Sequence, residues 1–278
     1  MKNLISFEMR KLFRARVLYI CAGVLVLVVL LFAGINKLQQ VVIEEAYTGI
    51  PAGDGTIAIN TGDDMPQELA AIMGMASSYS GLSTLLDALT NVYIIIVFAV
   101  FVAVFFCGDY GNGAIKNVFT KGYTRTQVFF SKYMVCLAVS LCYALLVMLT
   151  GFLAGLFMWG AGEGWSGKVA LLILLQLLAI AGYNALFCFM AVLCKRVGAA
   201  MGAGMALTIL LPLVLTLIEL LADKSGLKLS RYWLSGCITA ASYVRVASAN
   251  LIRSAVCSGL YCALFTLFGW LIHQKREV

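Results

Sequence analysis

Few residues in this chain have the chemistry for catalysis, and their spacing works against it. The single histidine, His273, stands in a polar C-terminal stretch, which leaves histidine-centred acid–base work and histidine metal sites almost no material. The nine cysteines form no Cys-x-x-Cys pair. Cys21, Cys136, Cys142, Cys188 and Cys262 fall inside apolar runs, where a thiol is a small packing residue rather than a zinc ligand or disulfide partner. Glu44 and Glu45 form a carboxylate pair, but no arginine follows at close spacing and the pair lies outside every apolar run. Gly162–Lys168 has the letters Gly-x-x-x-x-Gly-Lys of a phosphate-binding loop. Val169 follows, so the hydroxyl that would hold magnesium is missing, and no strand precedes; the stretch reads as a short turn without a nucleotide site. No carboxylate pair and no buried Lys or His is expected inside the apolar runs. The chain is therefore expected to be no enzyme, with no catalytic residue, no metal and no cofactor of its own.

The elements that carry these residues are set by composition. The 278 residues are 62% hydrophobic and only 12% charged, with a mean hydropathy of +0.97. Soluble domains carry about 25% charged residues, so this chain lacks the charge to coat a water-facing globule. The net charge of +7 does not point to nucleic acid, because the 20 Lys and Arg are scattered between long apolar runs rather than clustered on one face. About 20 apolar residues cross a ~30 Å hydrocarbon layer as a helix. Six such runs are present, at 17–35, 85–107, 133–159, 169–193, 199–221 and 255–272. The expected fold is an all-α integral membrane protein of one transmembrane domain, 1–278, because a helix satisfies its own backbone polar groups in lipid. The first run is longer than a signal-peptide core of about 7–15 residues and no small-x-small site closes it, so it is read as a retained span.

Charge placement gives the orientation. Thirteen basic residues and three acids fall on the side holding residues 1–16, 108–132, 195–196 and the tail. The positive-inside bias makes that side cytoplasmic, with both termini inside the cell membrane. Trp159, Trp165, Trp233 and Trp270 fall at or beyond span ends, where an indole suits the interface. Residues 222–254 belong outside by parity, and a seventh crossing there would put Arg245 in lipid at a cost of ~2.5–3.5 kcal/mol. They are expected to form an outer helical element, surface-lying or re-entrant. The acidic outer loop 36–84 is either a solvated cap or a vestibule for a cationic substrate.

Three features bear on function. Pro212 lies mid-span in the fifth run and cannot donate to the Thr208 carbonyl, which predicts a kink. Glu219 is an acid near the outer end of the same run, and with Pro212 it is a candidate for a substrate path or, for Glu219, interface snorkelling. Gly151-x-x-x-Gly155 and Gly198-x-x-x-Gly202 allow close helix approach. Ile5, Met9, Leu12 and Phe13 form an apolar stripe opposite Arg10, Lys11 and Arg14, which describes a basic amphipathic interfacial helix over 1–16. The cytoplasmic segment 108–132 carries Asp109, a glycine turn, a short helix and a Gly-x-Thr-Arg step, and ends on Lys132. An element of this kind can dock on a soluble partner and transmit its motion.

That segment resembles the signature region of type-2 ABC exporter permeases. The matching residues are Asp109, Tyr110, Gly113-Ala114-Ile115-Lys116, Gly122-x-Thr124-Arg125 and Lys132; Asp109 stands where glutamate is usual and Ala114 where threonine is usual. Phe7-Glu8-x-Arg10-Lys11-Leu12-x-Arg14 is similar to the family's interfacial connecting helix. The resemblance implies two permease subunits, homo- or heterodimeric, in a lipid bilayer, each bound to a separate ABC ATPase subunit that holds ATP and Mg. It implies that Asp109, Gly113, Ile115, Lys116, Phe119, Gly122, Thr124, Arg125 and Lys132 couple to the ATPase, and that a peptide, lantibiotic or drug is exported. The competing expectation is an ion-coupled secondary transporter or channel, which needs intramembrane charge and a discontinuous span near the midplane. A membrane-embedded enzyme would need paired carboxylates or histidines that the runs lack.

Overall fold

A computed structural model describes residues 2–48, 79–111, 120, 122–162, 166–221, 228–243 and 248–275. Among these the chain is helical with no strand. In order come α1 (Lys2–Arg14), α2 (Arg16–Thr48), α3 (Gly81–Asp87), a 3₁₀ turn (Ala88–Thr90), α4 (Val92–Gly111), α5 (Arg125–Trp159), α6 (Gly167–Cys194), α7 (Val197–Leu221), a second 3₁₀ turn (Leu229–Tyr232), α8 (Leu234–Ala240) and α9 (Ser248–Lys275). Six helices, α2, α4, α5, α6, α7 and α9, are long and apolar enough to cross a membrane. The protein is an all-α multi-pass membrane protein.

Two helices start where a side chain satisfies the first backbone N–H groups. Ser80 caps α3 in a reciprocal box with Ser83, and Thr124 caps α5 in the same way with Gln127. The second cap extends the third span: its helix begins at Arg125 rather than Tyr133, so Lys132 lies inside a helix. The last helix likewise begins at Ser248, ahead of Ala255.

The second span also departs from one unbroken run starting at Leu85. α3 and α4 are separate helices, parted by the 3₁₀ turn and by Asn91, which is extended at ψ 120°. No proline or glycine makes this break. Thr90 donates from its hydroxyl to the Asp87 carbonyl at 2.6 Å and to Asp87 Oδ1 at 2.8 Å, and Asn91 Oδ1 accepts from the Tyr93 amide. These local bonds offer the backbone an alternative to the helix. Across the break, Gln176 of α6, fully buried, donates from Nε2 to the Leu86 carbonyl at 2.7 Å. Replacing Gln176 with leucine keeps the bulk and removes the donor. The expected loss is about 1 kcal/mol of stability, read as a lower unfolding midpoint in mixed micelles; an unchanged midpoint would show that Gln176 merely fills space.

α6 is the hub of the bundle, packing against α4, α5, α7, α8 and α9. Phe98, Phe101, Phe106, Phe129 and Tyr183 fill the core. The buried Cys21, Cys107, Cys136 and Cys188 pack there as small apolar groups, and all nine cysteines are free thiols. α2, α7 and α9 expose long apolar faces, as at Leu27, Leu213 and Leu260, which suits a lipid surround.

Between α7 and α9 the described chain turns back into the bundle. Leu234 packs so near Gly182, midway along α6, that a Cβ there would lie 2.8 Å from Leu234 Cδ2. Trp233 is buried edge-on against Tyr261 of α9, with ring centroids 5.3 Å apart. Trp233 therefore belongs to the interior, not to a belt at a span end, because the hairpin carries it down to the middle of α6. Ser254 donates to the Cys237 carbonyl at 3.0 Å, so α8 climbs alongside the descending α9.

Candidate functional site at the basic end of the bundle

Four helices bring charge together where the sequence placed its basic residues. α1 lies on α5 with Leu4, Glu8 and Leu12 buried at i, i+4 and i+8, and with Ile5 and Met9 partly buried beside them. This stripe is rotated from the expected one: Phe13 is 56% exposed and turned away from the protein, together with Phe7, Arg10 and Arg14. The rotation follows from Lys11, which reaches the bundle rather than solvent.

Asp109, two residues from the end of α4, takes both available ammonium groups. Its Oδ1 accepts from Lys11 of α1 and its Oδ2 from Lys132 of α5. Lys132 is only 2% exposed, and its Nζ also stands 5.7 Å from the Phe106 ring centroid. Glu8 completes the group, 2% exposed. Burial pushes its carboxyl above the ordinary value; Lys132 opposes this, Asp109 adds to it, and Lys11 opposes it. A buried lysine is tolerated here because it is paired and hydrogen-bonded, without which the charge would be prohibitively costly.

A second set of contacts ties the start of α5 to the end of α9. Arg125 Nη1 donates to the Gln274 carbonyl at 3.3 Å, and Gln274 Nε2 donates to Thr126 Oγ1 at 3.1 Å. His273 is 5% exposed, its ring 5.6 Å from that of Phe129. The histidine is thus a buried member of a helix rather than part of a polar tail, since α9 continues to Lys275 and turns it inward. Lys132 stands just before the third apolar run and His273 just after the sixth, and both are buried because α5 and α9 extend past those runs.

The sequence-derived site residues divide into three groups. Asp109, Lys132 and Lys11 meet directly, while Thr124 and Arg125 begin α5 close by. Gly122 lies in the turn before that helix at φ 81°, a conformation that favours glycine. Gly113, Ile115, Lys116 and Phe119 lie outside the described residues. Pro212 and Glu219 stand apart, toward the opposite end of α7. Glu219 accepts from the Ser230 amide and, at 3.0 Å, from its hydroxyl, so it anchors the returning hairpin. The Gly151 and Gly155 pair receives α3: a Cβ on Gly155 would lie 2.8 Å from Gly81 Cα.

Sequence reasoning missed Glu8, although its signal was there, four residues from each of Leu4 and Leu12 in the middle of an apolar stripe. An acid on the buried face of a basic helix is a residue with a partner elsewhere. Chemically, the arrangement can hold helices together and exchange protons.

Fold and site together define a multi-pass membrane protein whose buried charge is gathered at one end of the bundle. The model of the DUF2705 family, described as a protein of unknown function, matches residues 67–278, and the chain belongs to that family. The matched residues include Asp109 and Lys132, whereas Glu8 and Lys11 precede them. No curated protein matches the chain.

Proposed function

We propose that the chain is the permease subunit of an ATP-driven ABC exporter, which moves a hydrophobic or amphipathic substrate such as a peptide, lantibiotic or drug out of the cell. The observation that carries this reading is the shared grip of Asp109 on Lys11 and Lys132. It joins the N-terminal helix, the second span and the third span beside the end of α4, which is where a partner pushing on the 108–132 segment would need a rigid attachment. In this reading the basic end faces the cytoplasm with both termini, and the protein sits in the cell membrane. A separate ATPase subunit holds ATP and Mg, and this chain performs no chemistry. The exposed apolar faces of α2 and α7 leave room for a second permease subunit, identical or not.

Purification from native membranes is expected to bring down a soluble protein with a complete phosphate-binding loop. Arg125→Glu is expected to leave that ATPase active but unresponsive to the permease, and Arg125→Lys to restore the response, because the segment needs a cation at the start of α5. Full transport without an ATPase would overturn the reading, as would intact coupling in Arg125→Glu.

The rival reading, an ion-coupled transporter or channel, needs a helix broken near the midplane, whereas the break between α3 and α4 precedes a helix that is itself long enough to span. It predicts solute uptake into proteoliposomes driven by an ion gradient alone.

A further inference from the structure

Glu8 is the member of the charge group that the ion pairs do not use. Asp109 gives one oxygen to Lys11 and the other to Lys132. Glu8 Oε2 is buried and accepts no hydrogen bond among the described residues. Among the described residues, the charged groups facing Glu8 are Lys132 from α5, Asp109 from α4, and Lys11 from its own helix. Beyond them, Lys132, Arg125 and Lys195 act on His273 of α9. A neutral carboxyl is tolerated in such a place, whereas an ionised one with an unsatisfied oxygen must draw a lysine toward itself or leave.

We propose that Glu8 is a proton-responsive positioning residue: neutral, it lets α1 lie down on α5; ionised, its buried oxygen lacks a donor, because Asp109 already holds Lys11 and Lys132, and α1 leaves the bundle. α1 leads directly into the first span through the single non-helical residue Ala15. Its release therefore changes how the chain enters the bilayer and, through Asp109, the pairing at the start of the 108–132 segment.

The direction of the effect follows from burial. The docked helix holds the Glu8 carboxyl above its ordinary value of 4.5, while a helix lifted into water does not. The docked form thus binds the proton more firmly. Docking is favoured at low pH and weakens as pH rises from the ordinary carboxylate value through the raised one.

The test is amide hydrogen exchange on the full chain in nanodiscs of phosphatidylcholine and phosphatidylglycerol, from mildly acidic to neutral pH, with intrinsic exchange rates divided out. Protection over Leu4–Phe13 is expected to fall as pH rises, by at most about tenfold per pH unit, the limit for one proton. Protection in α6 should stay constant. Glu8→Gln is expected to keep α1 protected at every pH and abolish the slope; if that variant does not fold, Glu8→Met carries the same expectation. A flat profile in the wild-type protein overturns the proposal, as does a retained slope in either variant or a variant in which α1 is unprotected at every pH. The readout needs neither ATP nor transport, so its failure would leave the permease reading standing.

Discussion

Asp109→Ala is expected to be the most destabilising single change in this protein. The substitution leaves Lys132 charged and 2% exposed without the carboxylate oxygen it pairs with. Breaking a buried pair by removing one partner costs about 3–5 kcal/mol, because the remaining charge keeps its desolvation penalty and loses the attraction that offset it. Lys11 contributes less to this cost, since its side chain is 39% exposed and can turn to water. The decisive measurement is the double substitution Asp109→Ala with Lys132→Met. Removing both charges should recover most of the loss, because a methionine fits the aliphatic path of the lysine and no lysine is left buried without its carboxylate. An Asp109→Ala protein as stable as the parent in mixed micelles would show that Lys132 finds water or another partner, and a double variant no better than the single would show that the penalty comes from packing.

The second large effect is expected at Gly155. A side chain there meets Thr84 and lies 2.8 Å from Gly81 Cα, so the obstruction includes backbone that cannot rotate away. Gly81 is fixed in turn, donating its amide to the Gly160 carbonyl at 2.8 Å. Gly155→Val must push α3 off α5, and overpacking of this kind costs about 1–3 kcal/mol. Gly198 is the control, because among the described residues nothing lies within 4 Å of a Cβ built there. Gly198→Ala should leave the unfolding midpoint in place while Gly155→Val lowers it. Equal midpoints for the two would mean that the Gly151 and Gly155 pair has no special role.

The contrast between these glycines also shows what a linear pattern can and cannot convey. Both Gly-x-x-x-Gly pairs have the same letters, yet only the first receives a helix, because spacing states that a backbone can be approached and not what approaches it. The six apolar helices were legible because lipid imposes length and hydropathy on each run separately. Asp109 and Lys132 were also legible one by one, as an acid leaving one run and a lysine entering the next. Their pairing depends on how α4 and α5 sit against each other, and no local signal carries that. The break at Ala88–Asn91 was hidden for a different reason. It is built from Asp, Thr and Asn side chains bonding to nearby backbone, and a hydropathy window averages over them. Trp233 was misplaced for a related one: an apolar segment bounded by basic residues looks the same whether it lies on the surface or folds back inside.

The two attachments of α5 to the second span have a mechanical consequence. At one end Lys132 holds Asp109, and at the other Gly151 and Gly155 hold α3. From Lys132 to Gly151 is about 30 Å of helix at 1.5 Å per residue. α5 is thus one unbroken helix held to α4 at its basic end and, beyond the break at Ala88–Asn91, to α3 at the other. A shift of α5 at its basic end is carried along continuous helix to its contact with α3, whereas α4 meets α3 only through a 3₁₀ turn and one extended residue.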